Sequence, residues 1–269
     1  MNKNVVITGS ARGFGFAMIS DFYDLGYDVV LIDVSEENLA AAKAKLLANK
    51  KGEVLTFVGD VTNPESIEKI ISSAVAALGK IDIWINNAGV NQRMKPIWEL
   101  DEKTISRLID IDLKGTIFCS SLIMQQFVKQ KSGQIYNVEG FGSDDGKILG
   151  LSVYGTAKRG VTYFTEALAN EVKKSNLPLQ IGKITPGIMI TNFINHNLGD
   201  QTFELSEQTK KVYNILGDYP ETIAAFMVEH IDRNSKNNVK FTWLTKGRSF
   251  ARFLKAPFNK RDFFKDENK

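Results

Sequence analysis

Tyr154 and Lys158 carry the strongest chemical signal in the chain. They stand four residues apart in Tyr154-Gly155-Thr156-Ala157-Lys158, so on a helix they share one face. A free tyrosine titrates near ~10, too high for a general acid or base working near neutrality, and a neighbouring ammonium is the simplest correction. One positive charge about 4 Å from a phenolate contributes roughly 4 kcal/mol at an effective dielectric of 20, against about 1.4 kcal/mol per pKa unit. Such spacing is also a frequent accident. The pair gains weight from its place, on the helix that follows the fifth apolar strand segment.

A second signal lies at the other end of the chain. Thr8-Gly9-Ser10-Ala11-Arg12-Gly13-Phe14-Gly15 follows a strand pattern and opens a helical one, the context in which a glycine fingerprint means dinucleotide binding rather than a flexible turn. Gly9 permits the tight turn, Gly13 lets backbone amides approach a pyrophosphate, and Gly15 lets the helix pack closely, with Phe14 beside it and the helix N-terminus aimed at the anion. Asp33 ends the second strand pattern at about the spacing expected of a carboxylate that binds the adenosine ribose hydroxyls, which points to NAD. Arg12 pulls the other way, since a guanidinium there could pair with the 2′-phosphate of NADP. The carboxylate is given precedence, because an arginine turns into solvent more easily than a strand-end carboxylate moves aside.

These residues need a scaffold, and the hydrophobic pattern specifies one. Asn4–Thr8, Asp28–Asp33, Val54–Gly59, Ile81–Ile85, Gln134–Val138, Leu179–Ile184 and Lys240–Leu244 read as strands. Phe14–Leu25, Glu36–Asn49, Pro64–Leu78, Glu102–Lys131, Ser152–Ser175 and Pro220–Arg233 read as helices, several with Asp, Ser or Asn at the N-cap. Strand-helix alternation predicts a three-layer α/β fold, a Rossmann-type doubly wound parallel sheet of seven strands in the order 3-2-1-4-5-6-7. One domain is expected over residues 1–245. Thr185–Asp218 shows little periodicity and is expected to be a lid.

Composition bounds the rest. The 269 residues are 43% hydrophobic, and 34 basic against 31 acidic residues leave a net charge of +3, too balanced for an extended polyanion-binding surface, so nucleic acid is not an expected partner. The single cysteine, Cys119, lies in an apolar stretch and reads as a buried thiol. Val5-Val6-Ile7 begins a strand rather than a signal segment, and no apolar run approaches the ~20 residues of a spanning helix; a cytoplasmic protein without integral membrane association is expected. His196 and His230 lack partners at metal-ligand spacing, so no metal site is expected. Met94 and Trp98 fit hydrophobic packing and a substrate wall equally well. The tail, 246–269, interleaves phenylalanines with Lys and Arg. It is expected to pack on its own domain or an oligomer partner, with peripheral membrane contact as the second reading.

The Thr-Gly-x-x-x-Gly-x-Gly pattern, Asp60-Val61 after strand three and Asn86-Asn87-Ala88-Gly89 after strand four together resemble the short-chain dehydrogenases/reductases, from Val5 to about Phe241. The resemblance implies a nicotinamide-dependent oxidoreductase that interconverts a carbonyl and a secondary alcohol on a small to medium, partly apolar substrate, and a homodimer or homotetramer. It implies that Asp60 and Val61 border the adenine and that Asn87, Ala88 and Gly89 line the cofactor. Pro186, Gly187, Ile188 and Thr191 would contact the nicotinamide end. Tyr154 becomes the general acid/base, and Lys158 the residue that stabilises the phenolate and holds the nicotinamide ribose.

Two positions depart from the family pattern. Gly140 stands where a serine usually holds the substrate oxygen, leaving Ser143 as the nearest replacement, although it reads equally well as a turn serine. Asp112 stands where an asparagine usually orders a proton relay; a carboxylate accepts hydrogen bonds but cannot donate while ionised, and close to Lys158 it would raise the lysine's pKa. The runs Asn137 to Asp144 and Tyr154 to Arg159 are similar to plant chlorophyll b reductases, which also lack that serine. Their substrate is not carried over, since no transit segment is expected ahead of the first strand and a porphyrin pocket cannot be read from loops. These departures also motivate a second reading, a dinucleotide-sensing regulatory protein without turnover, against which the retained Tyr154 and Lys158 argue.

Overall fold

The computed structural model describes residues 2–48, 51–92, 94–144, 146–190, 206–259 and 261–264. Its seven strands form one parallel sheet in the expected order, β3-β2-β1-β4-β5-β6-β7. They are β1 (Asn4–Thr8), β2 (Asp28–Asp33), β3 (Val54–Val58), β4 (Ile83–Asn86), β5 (Gln134–Val138), β6 (Gln180–Thr185) and β7 (Val239–Thr242). Three ranges match the sequence pattern and the others shift by one or two residues at their ends.

Alternating side chains on each strand build the two helical layers. Val5 and Ile7 of β1 join a cluster with Met18 and Phe22 of α1 (Gly13–Asp24), Leu39 of α2 (Glu36–Leu47), and Ile223 and Met227 of α8 (Pro220–Asp232). Val6, between them, faces the opposite side with Ile67 and Ile71 of α3 (Pro64–Leu78), Ile123 of α5 (Thr116–Gln130) and Leu168 of α6 (Ser152–Lys174). Cys119 is buried in that second layer, where loss of solvation pushes its thiol up to about 12. The expected caps are present: Ser35 accepts from Asn38 N, Asn63 from Ser66 N ahead of Pro64, and Asp101 from Thr104 N at the start of α4 (Glu102–Ile109).

Two expectations need correction. The helix read over Glu102–Lys131 is divided by a π-helical turn, Asp110–Gly115, between α4 and α5. This wide turn carries Asp112 into the interior. Gly115 lies so close to β3's end that an added Cβ would meet Val61 Cγ2 at 2.7 Å. Second, the stretch read as aperiodic contains α7 (Glu207–Leu216), capped by Ser206. Its only half-buried apolar face is diluted by Lys, Gln and Asn, which hides the helical period. Residues 191–205, the middle of the expected lid, with the expected cofactor residue Thr191 and with His196, lie outside the described residues. The tail contains α9 (Lys246–Lys255), whose phenylalanines face solvent, while Phe264 beyond it is buried.

Asp218 joins these late elements. Its main chain pairs with the segment after β6 (Asp218 N to Ile188 O, 3.1 Å; Ile190 N to Asp218 O, 3.0 Å). Its carboxylate accepts from Trp243 Nε1 at 2.7 Å and meets Arg252 at 2.6 Å and Arg261 at 3.1 Å. Asp218→Ala strands the indole N–H and two partly exposed arginines at once. It is expected to cost about 2 kcal/mol, or roughly 4–8 °C in melting temperature by calorimetry, after allowance for solvent screening of the arginines.

Candidate active site

The glycine loop leaves β1 at the carboxyl edge of the sheet, where β1 lies between β2 and β4. Gly9 has φ +61°, and a Cβ there would lie 2.8 Å from Ala88 Cα; at Gly15 a Cβ would meet Gly9 O at 2.5 Å. Both approaches are sealed by Asn87, whose Nδ2 donates to Thr8 O (3.0 Å) and Gly9 O (2.9 Å), while Thr8 Oγ1 accepts from the Asn87 and Ala88 amides. Gly13, φ +57°, faces open space, and with Arg12 it is exposed at the head of α1. That helix start has neither a capping side chain nor an acid in its first turn, so its free amides and dipole suit a phosphate. Phe14 is 6% exposed and packs into the core, so its side chain faces away from any ligand there.

Asp33 closes β2 beside this loop, with Oδ2 accepting from Ala11 N and Oδ1 from Ser35 N, both at 3.2 Å. Asp60 is exposed beyond β3 and holds its turn by accepting from Thr62 N and Oγ1; Val61 is buried next to it. Pro186, Gly187 and Ile188 follow β6. Gly187 has φ +77°, and a Cβ there would lie 2.7 Å from Leu244 Cβ, which fixes the path of that segment. The donors, the open helix start and the acidic strand end fit a dinucleotide laid across the edge.

Tyr154 and Lys158 lie at the ends of β4 and β5, beside Gly89 and Gly140. Tyr154 packs with Leu108, Val153 and Ala157, and its hydroxyl fills the space over Gly140: an added Cβ would sit 2.2 Å from Tyr154 Oη. A serine at 140 would therefore displace the phenol it normally accompanies. Ser143 is 3% exposed, its hydroxyl accepting from Gly140 N (3.2 Å) and donating weakly to Lys158 O (3.4 Å). No hydrogen bond joins it to Tyr154 among the described residues, and the geometry is that of a serine holding a turn. Lys158 Nζ lies over the Tyr154 ring, 5.7 Å from its centroid.

Asp112 and Lys158 form a buried ion pair, Oδ2 to Nζ 3.1 Å, tucked against Gly89. The other carboxylate oxygen, Oδ1, accepts from Val90 N at 2.7 Å. Burial pushes Asp112 up, and Lys158 offsets only part of that. Burial by itself would pull Lys158 down, yet Asp112, Tyr154 and Glu139 together hold it above the usual lysine value. Tyr154 is raised as well: loss of solvation outweighs Lys158, and Asp112 and Tyr213 add to the rise. Lys158 acts in the expected direction, lowering the phenol, but burial and the Asp112 carboxylate outweigh it.

Three participants carried no signal in the sequence. Gln92, 1% exposed, donates from Nε2 to Gly150 O (2.6 Å) and accepts at Oε1 from Tyr154 N (2.9 Å), capping α6 from a distant loop where Leu151 offers no side-chain cap. Glu139, 2% exposed, accepts from Thr162 Oγ1 (2.7 Å) and Thr185 Oγ1 (2.6 Å) and pairs with Lys240 at 2.8 Å, tying β5, α6, β6 and β7 beneath Gly140. Tyr213 comes from α7, the helix that composition concealed. Each acts through a contact between residues far apart in the chain.

The family model for short chain dehydrogenase matches residues 3–201, and the chain belongs to that family. A probable chlorophyll(ide) b reductase of Arabidopsis thaliana is 29% identical over 99% of the chain, which spans 55% of that relative's length. An (S)-acetoin-forming diacetyl reductase of Staphylococcus epidermidis is 32% identical, over 71% of this chain and 73% of the relative. The crystal structure of levodione reductase superposes with a TM-score of 0.77 at 26% identity, covering 93% of this chain and 98% of that one. The chain accordingly has the fold of that family, with a glycine-rich loop at the carboxyl edge of the sheet.

Two substitutions test the site. Gly140→Ser is expected to lower kcat by roughly 10²-fold by moving the phenol, with little change in melting temperature, since the displaced group is the tip of a side chain. Asp112→Asn removes a charge that raises both Tyr154 and Lys158, so both values fall. Where phenolate is the active form, the rise of rate with pH should begin at lower pH; where phenol is, the alkaline loss should come earlier. A pH–rate profile with an unmoved break would show that Asp112 is not coupled to Tyr154.

Proposed function

We propose that this chain interconverts a carbonyl and a secondary alcohol on a small to medium, partly apolar substrate, using NAD, with Tyr154 as general acid/base. The observation that carries the reading is the Tyr154 hydroxyl set over Gly140 at the sheet's carboxyl edge, with Lys158 and Asp112 behind it. Bound at the glycine edge, a nicotinamide dinucleotide supplies or accepts the hydride. In reduction, Tyr154 Oη gives its proton to the carbonyl oxygen as the carbon gains hydride; in oxidation, the phenolate takes the hydroxyl proton. Its raised pKa keeps the phenol protonated at neutral pH, which suits reduction. Lys158 stabilises the phenolate left behind, and Asp112 keeps Lys158 charged within a buried site.

An apolar substrate is supported by the rim. Met94, Ile97 and Trp98 on one loop and Ile148 and Leu149 on the other are exposed, and the loops are joined by the Gln92 and Lys95 bonds to Gly150 O. Exposure of Trp98 at 82% argues against core packing as its role. The names of the relatives span a wide range of size, from diacetyl to chlorophyll(ide) b. NAD is favoured because a 2′-phosphate would meet the Asp33 carboxylate at the β2 end, whereas exposed Arg12 is free to turn outward.

Nicotinamide absorbance, followed with a panel of ketones and diketones, tests this reading. Turnover with NADH is expected to exceed that with NADPH, and Tyr154→Phe should lower kcat by about 10²–10⁴-fold while leaving NADH binding in place. Undiminished turnover in that variant would end the proposal, and a strong NADPH preference would end the assignment to NAD.

A further inference from the structure

Helix α9 reverses the usual orientation of an amphipathic surface helix. Its arginines point inward: Arg248 stacks over Trp243 at 3.8 Å from a ring centroid and donates to Trp243 O at 2.6 Å, and Arg252 reaches Leu216 O at 2.8 Å and the Asp218 carboxylate at 2.6 Å. The apolar side chains point away from the protein. Phe250 is 65% exposed, Phe253 49%, Leu254 65%, and Phe258, in the Ala256–Phe258 turn that follows, 86%. Single exposed apolar residues are ordinary, but four on one short helix and the turn that follows form a patch of the kind that marks an interaction surface.

Charge identifies the occupant. From Leu244 to Arg261 the sequence contains Lys246, Lys255, Lys260 and three arginines but no Asp or Glu. Lys246 and Lys255 are exposed at the two ends of α9, flanking the phenylalanines. Two copies of this face laid together would oppose lysine to lysine with no carboxylate on either helix to neutralise them. A layer of anionic headgroups neutralises both lysines while its acyl boundary receives the rings.

We propose that α9 and the Ala256–Phe258 turn form a docking face for an anionic lipid bilayer, Phe250, Phe253, Leu254 and Phe258 entering the interface with Lys246 and Lys255 at headgroup level. The helix lies in the plane of the surface and spans nothing; among the described residues no helix is long and apolar enough to cross a membrane. The inward arginines fix its orientation, because turning the apolar face toward the protein would break the contacts of Arg248 with Trp243 and of Arg252 with Asp218. The proposal stands independently of the reaction assigned above.

Flotation of the full chain with vesicles of phosphatidylcholine, alone or mixed with phosphatidylglycerol, tests it. The protein is expected to float with the mixed vesicles at low salt, to stay behind with phosphatidylcholine alone, and to be released by high salt. Phe250→Ser with Phe253→Ser should abolish flotation, and Lys246→Glu with Lys255→Glu should weaken it by at least about fivefold per lysine, both at the parent's melting temperature. Should the phenylalanine variant unfold, the lysine variant and the salt series decide, since exposed lysines support no core. Protein that remains unfloated with anionic vesicles at low salt overturns the proposal, as do variants that float like the parent. A parent oligomer in sedimentation velocity that the phenylalanine variant dissociates would assign the face to a second copy and overturn it too.

Discussion

A buried charge pair organises the reaction end of this molecule. Asp112 and Lys158 are both removed from water, and neither is tolerable there without the other, since an uncompensated buried charge costs on the order of 3–5 kcal/mol. Their meeting requires the π-helical turn that swings Asp112 inward, the bare Gly89 beside them, and α6 docked in one register against β6 and that turn. Tyr154 inherits its position from that register, one helical turn before the lysine. The pair therefore ties a local irregularity in one helix to the placement of a hydroxyl on another.

Around the pair, buried polar groups are matched to partners from other strands. Asn86 accepts from Trp84 Nε1 and donates to Ser120 and to Asn137, and Asn137 passes the chain on to Thr165 of α6. Glu139 and Gln92 do the same on either side of Gly140. Low polarity strengthens each bond and penalises each unmade one, so such a network specifies a single arrangement more sharply than apolar packing does. Gly140 belongs to this arrangement. The Tyr154 hydroxyl occupies the space that a side chain at 140 would need.

Beyond β6 the fold becomes a clasp. Asp218 links the Ile188–Ile190 strip, α7 and the C-terminal helix, and Arg261 extends the clasp with bonds to Ile215 O and Gly217 O. Tyr213 of α7 stands within electrostatic reach of Tyr154 and against Phe264 of the tail. The tail is thus mechanically connected to the substrate side of the site, and its solvent-facing phenylalanines are presented by the same arginines that close the clasp.

The local pattern of residues determined the sheet, its strand order, the glycine edge and the Tyr154–Lys158 pair, because these depend on periodicity and on spacings within one turn or one βα unit. Asp33 at a strand end and Gly9 and Gly15 at close approaches were legible for the same reason. Tertiary structure alone decided the π-helical turn, the net rise of the Tyr154 pKa, the capping of α6 by Gln92 and the outward face of α9. Those outcomes depend on burial and on partners tens to hundreds of residues away. A single side chain carries no record of which distant group will neutralise it or of how much water it will lose.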